Sequence, residues 1–118
     1  MPRDGRAYVW DIAQAADAID SFLSGIDAEA YLADEMTSAA VERKFEIIGE
    51  ALGQLPKVDP DLAARIPDVR AIVAFRNTLI HGYAVIDPGR VYAIARSSLP
   101  ALRTDAHEIL GELSDPAA

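Results

Sequence analysis

The sequence predicts an all-α fold, an up-and-down bundle of four to five helices, on three observations. Twenty-two of the 118 residues are Ala, the strongest helix former. Apolar residues recur at alternating spacings of three and four, the period of one helix face, while β-branched residues are scattered rather than alternating. Asp or Asp-Pro stands where stripes begin, and Gly or Pro where they end.

In the first segment Val9, Ile12, Ala16, Ile19 and Leu23 form one stripe, and Gly25 ends it. A short piece from about Asp27 to Met36 is helical by composition, with weak periodicity. The third segment carries Val41, Phe45, Ile48, Leu52 and Leu55, and Pro56 is expected to close it. Asp59-Pro60 and Asp68 read as helix starts, because Asp caps free N–H groups and Pro fits the first turn. At most a turn or two of helix is expected between Leu55 and Asp68, then a helix from Asp68 to about Gly82. Asp87-Pro88 opens a last long segment with Val91, Ala95, Ser98, Leu102, Ala106, Ile109 and Leu113 on one face. Pro100 should kink or interrupt it. Short connections imply antiparallel neighbours. One domain is expected over residues 1–118, with 114–118 as a frayed tail.

Eleven Lys and Arg stand against nineteen Asp and Glu, for a formal charge of −8. That balance argues against coating DNA without regard to sequence, which needs many cationic contacts. The absence of Cys excludes a disulfide scaffold, a thiolate zinc site and a cysteine nucleophile. No run of eighteen apolar residues could span a membrane, and the charged N-terminus does not read as a signal peptide. The expectation is a soluble, cytoplasmic domain that uses no metal and no cofactor. The charge is unevenly placed. Residues 1–60 carry five Lys or Arg and twelve Asp or Glu, whereas residues 62–104 carry six Arg and two Asp. A basic groove in the second part, set against an acidic remainder, is therefore expected.

Local rules break between Asp68 and Tyr83. The helical neighbours of Arg76 at three and four residues are Ile72, Val73, Leu79 and Ile80, so an arginine stands in the middle of an apolar face. Such a charge is costly unless paired, and Glu46 or Glu50 of the third segment is the candidate partner. Asn77 lies about 100° around the helix, and His81 one turn beyond it. Tyr83 follows Gly82 near the expected helix end. Any one of these residues alone would read as structural; the set in this order points to chemistry. A His can take the proton of a ribose 2′-hydroxyl as that oxygen attacks the adjacent phosphorus. An Arg can hold the phosphate with two hydrogen bonds, and Asn77 can orient His81 or donate to the phosphate. The leaving 5′-oxygen also wants a general acid, so a symmetric homodimer that brings a second His81 into the groove is expected.

The run Arg76-Asn77-Thr78-Leu79-Ile80-His81-Gly82-Tyr83 resembles the RX4HXY motif of the HEPN superfamily, and of its HepT-like branch in particular. Glu46-Ile47-Ile48-Gly49-Glu50-Ala51 is similar to the family's third-helix segment. Ile86-Asp87 and Leu99-Pro100-Ala101-Leu102 are similar to its last helix. The resemblance covers about residues 8–103. It implies a dimeric helical bundle acting as the toxin of a toxin–antitoxin module, a ribonuclease that cleaves RNA without a metal. It implies an MntA-like minimal nucleotidyltransferase as the antitoxin partner, transferring AMP to the motif tyrosine. Carried over, Arg76 and His81 are catalytic, Asn77 supports them, and Tyr83 accepts AMP. A non-catalytic HEPN partner of such a transferase is the second expectation, and a purely structural helical dimer the third.

Other residues suggest less. His107 lacks a second His at metal-ligand spacing and reads as solvated. Gly49 suits close helix approach, and Ser97-Ser98 has no triad partners. Glu42, Arg43, Glu46 and Glu50 read as a solvated stripe with pairs one turn apart.

Overall fold

The computed structural model describes residues 4–66 and 87–114 as helices joined by short turns, with no strand among them. In chain order these are α1 (Gly5–Phe22), α2 (Ala28–Ala33), α3 (Glu35–Val58), α4 (Pro60–Ala64), α5 (Pro88–Ser97) and α6 (Leu99–Ser114). The four longer helices meet the expected bundle. The tally is higher because the two short ones, α2 and α4, are separate elements and the last segment is split. The helix expected from Asp68 to Gly82 lies outside the described residues, as do residues 115–118 of the expected tail.

Asp residues start five of the six helices. The carboxylates of Asp4, Asp27, Asp34, Asp59 and Asp87 accept from the amides of Ala7, Ala30, Thr37, Leu62 and Gly89 at 2.8–3.1 Å. Each satisfies an otherwise unpaired first-turn N–H and places negative charge at the positive end of a helix. Part of the acidic excess therefore follows from local folding. Pro60 and Pro88 occupy first-turn positions, as expected.

α1 is the central helix, packed chiefly against α3 and α6. Both run antiparallel to it. The first residue of α1, Gly5, lies against Asp59 at the end of α3, and Asp17 and Asp20 of α1 meet Arg103 and His107 of α6. Between the helices the predicted stripes are buried: Val9, Ile12, Ala16, Ile19 and Leu23 from α1, and Val41, Phe45, Ile48, Leu52 and Leu55 from α3. Val91 and Ala95 of α5 and Leu102, Ala106 and Ile109 of α6 complete the core. Each large side chain sealed this way contributes about 1.5–3 kcal/mol of transfer free energy. Gly25 turns the chain after α1 with φ of +72°, a conformation that disfavours a β-carbon.

Several details differ from expectation. Pro56 does not close α3, which continues to Val58. Leu55 is held in the core, and the Asp59 amide donates to its carbonyl at 2.8 Å, so the last turn persists without the Pro56 N–H. Met36 belongs to α3, since Asp34 ends α2 and caps its successor. The interruption expected of the last segment is observed, at half-buried Ser98, and Pro100 itself falls in the first turn of α6, where its missing N–H costs nothing. Leu113 was expected on the buried face and is 44% exposed; Ile109 is the last fully enclosed residue of the stripe. Gly49 is buried, consistent with a helix contact.

Candidate functional site

Four predicted site residues, Arg76, Asn77, His81 and Tyr83, lie outside the described residues, and so does the pairing of Arg76 with Glu46 or Glu50. What the structure describes is the frame on either side of them. Before the segment, Ile66 is buried and Arg65 binds Glu112 of α6 at 2.6 Å. After it, the Asp87 carbonyl accepts from the amides of Arg90 and Val91 and fixes the start of α5. The chain therefore leaves and re-enters the segment at anchored points.

On α3 the two carboxylates considered for Arg76 each meet a neighbour on their own helix. Glu46 binds Arg43 at 3.0 Å, and Glu50 accepts from Gln54 at 3.3 Å. Glu42 is half-buried; its loss of solvent, and then the charge of Glu46, push its carboxyl above the usual range. The stripe is expected to be solvated with pairs four residues apart; Arg43 and Glu46 instead pair at three residues, and Glu42 and Glu46 are half-buried.

The arginines of residues 62–104 do not form the expected open basic groove among the described residues. Arg65 is tied to Glu112, and that bond holds the Glu112 carboxyl low. Arg96 donates through Nη2 to the carbonyls of Leu23 and Ile26 at 2.7 and 2.8 Å, and through Nε to the Tyr92 hydroxyl at 3.1 Å. Tyr92 in turn donates to the Ile26 carbonyl at 2.7 Å. These two side chains satisfy carbonyls at and beyond the end of α1. Arg103 binds Asp17 at 2.7 Å and Asp20 at 3.4 Å. Arg90 is exposed on α5, and Arg70, like Arg76, lies outside the described residues. Guanidinium groups found carboxylates and helix-end carbonyls of their own chain, which charge counting cannot foresee.

One polar cluster escaped the sequence. His107 is not simply solvated: its Nε2 lies 2.8 Å from Asp17 Oδ1, which also accepts from Arg103. Partial burial pushes the Asp17 carboxyl up, and the bonds from Arg103 and His107 outweigh that and hold it low. The available signal was paired spacing. Arg103 and His107 stand four apart, Asp17 and Asp20 three apart, on helices that the pattern makes antiparallel. A second unforeseen feature is Tyr31, fully enclosed against Tyr92 with ring centroids 5.4 Å apart. Among the described residues its hydroxyl has no hydrogen-bond partner within 3.5 Å, although Ser38 stands near it.

The family model described as ribonuclease HepT-like matches residues 12–109. The protein named "Putative RNase MJ0125" of Methanocaldococcus jannaschii is 30% identical over 118 residues, covering 98% of this chain and 99% of the relative. The one named "Probable ribonuclease HepT" of Thermococcus cleftensis is 35% identical over 103 residues, covering 87% and 93%. The one named "Putative RNase TTE0752" of Caldanaerobacter subterraneus subsp. tengcongensis is 30% identical over 105 residues, covering 89% and 93%. No solved structure matches the chain. No helix among the described residues is long and apolar enough to cross a membrane. With an all-α bundle in the described residues and a family match over most of its length, the chain belongs to the HepT-like family of the HEPN superfamily.

Proposed function

We propose that this chain is a ribonuclease toxin, an endoribonuclease that cleaves RNA without a metal and is silenced by AMP transferred to Tyr83. The observation that carries this is the family match over residues 12–109, the stretch that contains Arg76, Asn77, His81 and Tyr83 in the order the chemistry requires. The names of the three relatives, each of which carries the word RNase or ribonuclease, support the RNA-cleaving part of this reading.

In this mechanism His81 accepts the proton of a ribose 2′-hydroxyl as its oxygen attacks the neighbouring phosphorus. The bond to the 5′-oxygen breaks, leaving a 2′,3′-cyclic phosphate and a 5′-hydroxyl. Arg76 holds the phosphate and offsets charge developing on its oxygens. Asn77 orients His81 or donates to the same phosphate. A homodimer supplies His81 of the second copy as the acid that protonates the leaving oxygen. The partner is an MntA-like nucleotidyltransferase: the Tyr83 oxygen attacks the α-phosphorus of ATP and pyrophosphate leaves. AMP on Tyr83 then blocks RNA by occupancy and like charge.

Incubation with the neighbouring transferase, ATP and Mg²⁺ tests the regulatory half. The mass should rise by whole AMP units at Tyr83, and Tyr83→Phe should stay unchanged. An unmodified wild-type chain, or equal modification of Tyr83→Phe, overturns it.

A further inference from the structure

One end of the bundle combines exposed apolar side chains with an unbroken acidic stretch. Between Arg6 and Arg43 the sequence has eight Asp or Glu and no Lys or Arg. The antiparallel packing of α1 and α3 brings the end of α1, all of α2 and the start of α3 to the same end. There Phe22 is 37% exposed, Leu32 56% and Met36 82%. Within residues 27–36 Tyr31 alone is buried; the rest are exposed. Asp27, Glu29, Asp34 and Glu35 flank Leu32 and Met36. Among the described residues, the two arginines that reach this end are occupied, Arg96 by the carbonyls of Leu23 and Ile26, Arg103 by Asp17 and Asp20.

Stability does not account for Leu32 and Met36, which are among the most exposed large apolar side chains of the described residues. Apolar groups rimmed by charge of one sign favour a partner whose apolar groups are rimmed by the other. A second copy meeting this surface across a two-fold axis would set its carboxylates against their own images. RNA would meet the same repulsion.

We infer that the ridge formed by α2 and the start of α3 is a docking surface for a protein partner that presents a basic, amphipathic segment. Leu32 and Met36 insert among its apolar side chains, and Glu29 and Glu35 pair with its cations at the rim. This surface is built from α2 and α3 alone, and its test needs no nuclease activity.

The probe is a fifteen-residue Lys/Leu peptide with one apolar helical face, titrated into the full-length protein and followed by amide chemical shifts. A scrambled peptide of the same composition serves as control. Saturable binding with shifts concentrated in residues 20–38 is expected, at least tenfold weaker for the scrambled peptide. The double variants Leu32→Ser/Met36→Ser and Glu29→Lys/Glu35→Lys should each weaken binding at least tenfold. Leu32→Ser/Met36→Ser alters exposed positions and should keep the wild-type melting curve; Glu29→Lys/Glu35→Lys puts positive charge in the first turns of α2 and α3 and should lower the melt slightly while the native amide spectrum persists. Equal affinity for the scrambled peptide, or shifts spread over all acidic surfaces, overturns the proposal. So does a smaller assembly for Leu32→Ser/Met36→Ser, which would make a second copy the occupant. Displacement of the peptide by an RNA oligonucleotide at these amides overturns it in favour of RNA.

Discussion

His107 Nε2 lies 2.8 Å from Asp17 Oδ1, the same oxygen that accepts from Arg103 Nε at 2.7 Å. One carboxylate on α1 thus holds two successive turns of α6. All three side chains are more than a third exposed, so each pair falls in the range of surface ion pairs, up to about 1 kcal/mol. The Asp17 carboxyl is held below its ordinary 3.8. The unfolded chain therefore takes up this proton first as pH falls. The contribution is complete above about pH 5 and is lost as pH drops through the folded-state value. Urea titrations should show Asp17→Asn less stable than wild type by about 0.5–1 kcal/mol near neutrality, with the gap narrowing in acid. A gap that is constant with pH would contradict this assignment.

Arg96 closes the far end of α1 from a different helix. Removing it in Arg96→Ala leaves the Leu23 and Ile26 carbonyls without its Nη2 bonds and should cost about 1 kcal/mol. Hydrogen exchange gives the more specific check, since the amides of residues 23–26 should speed up by more than the roughly fivefold that a loss of about 1 kcal/mol gives those of mid-α3. Uniform acceleration across both would instead mean a general loss of stability.

Among the described residues, the buried Tyr31 hydroxyl has no hydrogen-bond partner. Tyr31→Phe keeps the ring contact with Tyr92 and removes an unsatisfied polar atom, so it should be neutral or stabilise by up to about 1 kcal/mol. Calorimetry decides it: a loss of more than about 1 kcal/mol would reveal a bonded hydroxyl.

Two glycines should respond oppositely to Ala. A β-carbon on Gly5 would lie 2.8 Å from the Asp59 β-carbon and 3.0 Å from Leu62 Cδ1, so Gly5→Ala should cost about 1–3 kcal/mol. At Gly53, within α3, it would meet nothing within 4 Å, and Gly53→Ala should stabilise by about 0.5–1 kcal/mol. Thermal melts of the two variants should therefore move in opposite directions.

The bundle was legible because Val41, Phe45, Ile48, Leu52 and Leu55 repeat at the helix period, and the Asp caps mark where the chain turns. Leu113 shows the limit. Periodicity names the apolar side of a helix but not how far its neighbours cover it. Pro56 shows another, since a buried Leu55 outweighed the local preference of proline. The Arg76–Tyr83 set is read from the sequence as a charge within an apolar helical pattern, and it lies outside the described residues. The Asp17 clamp was not, because Arg103 and His107 stand 86 and 90 residues from Asp17 and only the helix packing brings them to it. Likewise the bonds of Arg96 run to backbone carbonyls, which leave no trace in a pattern of side chains.

The central claim, that Arg76 and His81 carry RNA cleavage, is tested most directly with the purified full-length protein and RNA in excess EDTA. Wild type should cleave and leave 2′,3′-cyclic phosphate ends. Arg76→Ala and His81→Ala should each lose at least about 100-fold in rate while keeping the wild-type fold and assembly. Cleavage at the wild-type rate by both variants would contradict the account.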